Sequence, residues 1–99
     1  MGSTVSVRVP ASLRAYAGGQ AVVTVALISG ATIEGLLDEL AAAFPDLERR
    51  VRDEQRHLRP HVNLFVGTEN IRDLAGQGTP LDSGAEVTVL PAVSGGMIP

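Results

Sequence analysis

The sequence predicts an α+β roll, one sheet of four or five short strands packed on one face of a single main helix. Three observations predict it. Four short stretches have strand character, by period-two alternation or by β-branched content. Only one long stretch carries apolar residues at helical spacing. The resulting order, ββαββ, lets the strands cover that helix only as one sheet. Ninety-nine residues with a 44% apolar share suit one domain with one core.

The first strand occupies residues 4–9, with Val5, Val7 and Val9 on one side. Pro10 lacks a backbone donor and ends it. Residues 11–16 form a tight turn or short helical piece, and Gly18-Gly19 permits the reversal of a hairpin. The second strand, residues 20–27, contains the β-branched run Ala-Val-Val-Thr-Val. Thr32 is an N-cap, Glu34 complements the positive helix end, and Ile33, Leu36, Leu37, Leu40 and Phe44 make an amphipathic stripe of about three turns. Pro45 forces Phe44 out of helical geometry, and Asp46 caps a shorter helix reaching Val51.

A polar connection, residues 52–60, leads to a third strand at 61–66, with Val62, Leu64 and Val66 on one side and Asn63 and Phe65 on the other. Residues 67–70 are a turn leading to a brief strand around Ile71, and Gly76, Gly78, Pro80 and Gly84 break up the segment beyond it. The last strand is residues 86–90, Val87 and Val89 inward, Thr88 and Leu90 outward. A hairpin at each end and a helix between them matches the β-grasp plan, whose first and last strands pair in parallel at the sheet centre. The pattern alone leaves ferredoxin-like arrangements open.

Eleven acidic against eight basic residues give a net charge of −3, which opposes nonspecific attraction to nucleic acid or anionic lipid. Neither a nucleic-acid nor a membrane partner is expected. All eight basic residues are Arg, so no lysine ammonium is available as a nucleophile. The lack of Cys removes disulfides, thiolate metal sites and thiol catalysis. No apolar run approaches the roughly 20 residues of a membrane span, and no signal-peptide pattern is present, so the cytoplasm is the expected location. The opening residues 1–6 fit a loose myristoylation pattern, but strand alternation starts at once and no polybasic support accompanies it.

No catalytic set emerges, and the chain is not expected to be an enzyme. His57 and His61 are four apart, but Pro60 breaks the helix that would align them and no carboxylate completes a metal spacing. The glycines of residues 75–80 lack the third glycine and helix start of a phosphate loop. Arg49, Arg50, Arg52, Arg56 and Arg59 are interleaved with Glu48, Asp53 and Glu54, without aromatic residues for stacking on bases, and read as a solvated face. On the sheet face away from the helix, Phe65 and Leu90, with Arg8 and Pro10, form an apolar patch expected to dock a partner protein.

The end of the chain is the most informative part. Residues 1–90 make the domain and residues 91–99 a flexible tail, because Pro91 cannot donate to a sheet ladder. At about 3.3 Å per residue, residues 91–96 reach roughly 20 Å, enough to enter a partner's active-site channel. Val93, Ser94 and Gly95 form the flexible approach to Gly96, where the lack of a Cβ suits a narrow passage and an open carbonyl.

The run Leu90-Pro91-Ala92-Val93-Ser94-Gly95-Gly96, preceded by Asp82-Ser83-Gly84-Ala85-Glu86-Val87-Thr88-Val89, resembles the end of the MoaD/ThiS sulfur-carrier family of small ubiquitin-like proteins. His61-Val62-Asn63-Leu64-Phe65-Val66 with Ile71-Arg72, and Val9-Pro10-Ala11-Ser12-Leu13-Arg14, extend the resemblance over most of the chain. Within the family it most resembles the carriers of actinobacterial cysteine biosynthesis. The resemblance implies a mixed-sheet β-grasp fold and a protein that is itself a reagent. An E1-like adenylyltransferase of the MoeB/ThiF type would adenylate the Gly96 carboxylate, and sulfur transfer would make a thiocarboxylate. No cofactor would be bound by the chain itself, since ATP is used by that partner.

Met97-Ile98-Pro99 depart from the pattern and lock the Gly96 carbonyl in an amide. The chain therefore reads as a precursor, cut between Gly96 and Met97 by a JAMM-type zinc metalloprotease, as in family members with similar extensions. The sulfur acceptor would be a cysteine-synthase-like enzyme or the enzyme of a cofactor or natural-product pathway. The alternatives are the small subunit of a molybdopterin synthase and a ubiquitin-like interaction module whose blocked tail never reacts.

Overall fold

The computed structural model describes residues 2–28 and 30–91. The elements run β1 (Gly2–Arg8), a 3₁₀ segment (Ala11–Ala17), β2 (Val22–Ile28), α1 (Ile33–Ala43), α2 (Pro45–Val51), β3 (Val62–Val66), β4 (Glu69–Asn70), short 3₁₀ turns at Ile71–Asp73 and Gly76–Gly78, and β5 (Glu86–Pro91). The sheet order is β2-β1-β5-β3-β4. β1 pairs with β5 in parallel, and the other neighbours are antiparallel. First and last strands side by side in parallel make this a β-grasp fold, and the ferredoxin-like alternative falls away.

Register turns the alternation into two faces. Val23, Val7, Val87 and Val66 stand opposite one another across four strands, as do Val5 and Val25 or Leu64 and Val89. With Val9, Leu27 and Val62 they meet Ile33, Leu36, Leu37 and Leu40 of α1 and Leu47 and Val51 of α2 in one core. Burying each such side chain contributes roughly 1.5–3 kcal/mol.

Local signals set the element ends. Thr32 Oγ1 accepts from the Gly35 amide at 3.4 Å, giving α1 its N-cap. Gly18 adopts φ 66°, and the Gly19 amide donates to the Arg14 carbonyl at 2.7 Å, closing the 3₁₀ segment before β2. Three expectations need correction. Phe44 is the N-cap of α2, with Pro45 in its first positions and Asp46 inside the first turn. A missing amide hydrogen is harmless at a helix start, which is why the proline begins this helix. The brief strand near Ile71 is Glu69–Asn70, and Ile71 itself opens a 3₁₀ turn and is buried. β5 runs through Pro91, paired opposite Val62, since a terminal strand position tolerates a missing donor.

The arginine run also departs from a solvated face. Arg52 is 1% exposed: its Nε donates to Glu48 Oε2 at 2.8 Å, Nη2 to Asp38 Oδ1 at 2.9 Å and Nη1 to Gln77 Oε1 at 3.2 Å. One guanidinium thus joins α1, α2 and the Gly76–Gly78 turn. Arg50 stacks over the Tyr16 ring at 4.3 Å and donates to its hydroxyl at 2.9 Å. In the connection between α2 and β3, Asp53 Oδ1 accepts from the amides of Gln55 and His57, each at 2.9 Å. The backbone hydrogen bond from His57 is the main cause that holds this carboxyl below its ordinary range.

Candidate functional site at the exit of the last strand

The outward face of the sheet has its own row. Val22, Arg8, Thr88, Phe65 and Asn70 stand opposite one another from β2 to β4. Leu90 lies opposite Asn63, two residues beyond Thr88 on the same side, and is therefore the diagonal neighbour of Phe65. Leu90 is 45% exposed, and Phe65 is half-buried. The two residues expected to share a face do share it.

Arg8 and Pro10 join them from β1 and its end. A groove of about 160 Å³ is lined by Arg8, Pro10, Arg14, Thr88 and Leu90, among others, at the end of the sheet where β5 leaves. It brings together three of the four residues expected to dock a partner, while Phe65 lies in the row of Arg8 and Thr88 on the neighbouring strand β3. Arg8 Nη1 reaches back along the face to Glu86 Oε2 at 3.1 Å, an exposed ion pair. Such a pair orients the guanidinium more than it stabilises the fold.

Sequence reasoning missed Arg14 and Arg72. Arg14 lines the groove and donates from Nε to the Val9 carbonyl at 3.0 Å, fixing the chain where β1 ends. Arg72 donates to Asn63 Oδ1 at 3.1 Å and to the carbonyls of Val62 at 2.7 Å and Arg59 at 3.0 Å. It braces the start of β3 beside the last residue of β5. Arg14 sits on a 3₁₀ segment, whose facing carries no simple period, and the partners of Arg72 lie on β3 and the connection before it, 9 to 13 residues away.

Gly95, Gly96, Ser94, Val93 and the Gly96–Met97 bond lie outside the described residues. The described structure does establish where their segment starts: at Pro91, on a central strand, beside both the groove and the start of β3. Among the described residues no group of three His, Cys, Asp or Glu side chains converges as a metal site, and no helix is long and apolar enough to cross a membrane.

Residues 7–96 match the ThiS family. The chain is 35% identical over 94 residues to the sulfur carrier protein CysO of Mycobacterium tuberculosis, covering 93% of this chain and 98% of that one. The crystal structure of SAMP1 from Haloferax volcanii superposes with a TM-score of 0.80 at 32% identity, over 94% of this chain and 99% of that one. The Amycolatopsis orientalis BexX/CysO complex contains a chain that superposes at 0.80 with 30% identity, over 93% and 99%. This chain therefore belongs to the ThiS family of ubiquitin-like β-grasp sulfur carriers.

Proposed function

We propose that the protein is the precursor of a sulfur carrier, a protein co-substrate whose reactive atom is the Gly96 carboxyl carbon. The observation that carries this reading is the extent of the family match, which runs through residue 96 and leaves out Met97-Ile98-Pro99. Hydrolysis of the Gly96–Met97 amide by a zinc metalloprotease of the JAMM type releases the last three residues and a free carboxylate. A carboxylate oxygen then attacks the α-phosphorus of ATP on an E1-like enzyme, expelling pyrophosphate. Hydrosulfide adds to the acyl carbon, AMP leaves, and a thiocarboxylate remains. Adenylation is needed because a carboxylate is anionic and has no good leaving group, and Gly96 adds no side chain to hinder either attack.

The outward face supports the reading from the other side. A tail that reacts in a partner's channel needs a surface that holds the partner while the tail is inserted, and Phe65, Leu90, Arg8 and Pro10 lie at its base. CysO of M. tuberculosis is named a sulfur carrier, and CysO of A. orientalis occurs in a complex with BexX. By analogy, the acceptor for this chain is an enzyme that takes sulfur into a biosynthetic product, a cysteine-synthase-like enzyme among the first to try.

A second reading is a protein modifier joined through Gly96 to other proteins, favoured by the likeness to SAMP1. Intact-mass analysis of the native protein from its host under sulfur-demanding growth separates the readings. The carrier reading expects loss of residues 97–99 and a mass gain matching sulfur in place of oxygen. The modifier reading expects conjugates of higher mass. Recovery of the full-length chain alone refutes both.

A further inference from the structure

The cationic residues are not spread evenly over this acidic chain. A cavity of about 200 Å³ is lined by Arg49, Arg50, Arg59 and His61, with no carboxylate in its wall. Arg49 and Arg50 sit on the last turn of α2. Arg59 is tied beneath them, its amide donating to the Val51 carbonyl at 2.9 Å and its Nε to the Arg49 carbonyl at 2.7 Å. Arg50 is held by Tyr16. The guanidiniums of Arg50 and Arg59 are thereby held, and Arg49 lines the same cavity although like charges repel. Glu54 is the carboxylate paired with the cluster, 3.6 Å from Arg49 with both side chains more than half exposed.

The cluster also has a definite position. His61 directly precedes Val62, which stands opposite Pro91, so the cavity lies at the end of the sheet where β3 begins and β5 ends. At the other end of the sheet, the Gly84 amide donates to the Thr4 carbonyl and the Gly67 amide to the Glu86 carbonyl. Asp82 belongs to the turn before β5, Glu69 opens β4 opposite Val66, and Glu34 is in the first turn of α1. Those three carboxylates lie away from the end from which the tail departs, whereas Asp53 and Glu54 accompany the arginines there.

We propose that the cluster of Arg49, Arg50, Arg59 and His61 is a docking site for a carboxylate-rich segment of the protein that receives the tail. Charge complementarity selects that occupant. A net charge of −3 disfavours long polyanions such as nucleic acid, whereas a short acidic segment meets only the local field. The guanidinium forks suit bidentate carboxylate contacts, and their place beside the tail lets the same encounter orient the tail toward the partner's channel. The inference rests on the reading of the tail as a partner's substrate.

Two measurements test it separately from that reading. In the first, the full chain labelled with ¹⁵N is titrated with hexaglutamate at low and at physiological ionic strength. Amide shifts centred on Arg49, Arg50, Arg59 and His61 that fade with salt are expected. No shifts, or shifts spread evenly over the arginines, overturn the site whatever the tail does. In the second, association with the host's adenylating enzyme is followed for Arg49→Glu and for Arg56→Glu. Each variant changes the net charge by the same amount, but Arg56 lies outside the cluster and is paired loosely with Asp38 at 3.7 Å. The association rate should fall about tenfold for Arg49→Glu and by less than about twofold for Arg56→Glu. Equal losses in the two variants would overturn the docking site. If the wild-type chain ending at Gly96 is not adenylated at all, the carrier reading fails, and the hexaglutamate titration alone decides the cluster.

Discussion

Replacing Arg52 by Leu tests how the helical layer is held on the sheet. The Nε bond to Glu48 joins two buried side chains, 1% and 10% exposed, whereas Asp38 on the other arm keeps 42% of its surface. Removing one partner of a buried pair costs about 3–5 kcal/mol, chiefly because the remaining charge is left without compensation. The half-exposed Asp38 arm adds no more than about 1 kcal/mol, because water replaces its partner. Leu fills part of the vacated volume, so the expected loss is near the lower end, about 3 kcal/mol. In a domain of this size that lowers the melting temperature by roughly 12–24 °C.

Urea denaturation followed by far-UV circular dichroism gives the free energy directly. The companion variant Glu48→Leu/Arg52→Leu removes the stranded carboxylate together with its partner and should recover to within about 1 kcal/mol of the wild type. A loss below about 1 kcal/mol in the single variant would show that no costly charge had been isolated. A double variant as unstable as the single one would be equally damaging, since the penalty would then come from lost packing and not from an isolated charge.

Three further outcomes rest on individual residues. Leu90→Asp should leave stability within about 1 kcal/mol, because the side chain is 45% exposed, yet reduce adenylation of the Gly96-ended protein at least tenfold; equal adenylation in a fixed-concentration assay would remove Leu90 from the docking face. Gly18→Ala should cost about 1 kcal/mol through the positive φ alone, since its added Cβ would meet Gln20 and Phe44 only at ordinary contact distances of 3.7 and 3.9 Å; no change in the urea midpoint would contradict this. The depressed Asp53 carboxyl, lower when folded than when unfolded, contributes stability that is present above the unfolded value and lost as pH falls through the folded one. The melting temperature of Asp53→Asn should therefore fall less steeply than the wild type's below about pH 4, and parallel curves would show that the two amide hydrogen bonds do not act through this charge.

Much of this protein is written in local sequence. The alternation of Val5, Val7 and Val9 and the outward facing of Phe65 and of Leu90 rest on a period of two, and the Thr32 cap and the stop at Phe44-Pro45 on single residue types, all of which a short window contains. The Gly95-Gly96 ending is likewise a matter of adjacent residues. Only the folded chain decided the parallel contact of β1 with β5, the groove between Pro10 and Leu90, and the burial of Arg52. Arg52 reads as one of five solvated arginines because its neighbours in sequence are polar. Its partners Asp38 and Gln77 lie 14 and 25 residues away and reach it only when two helices and a turn pack together. Periodicity specifies which side of an element is apolar, but charges find one another through space, and that distance is set by the whole sheet and its helices.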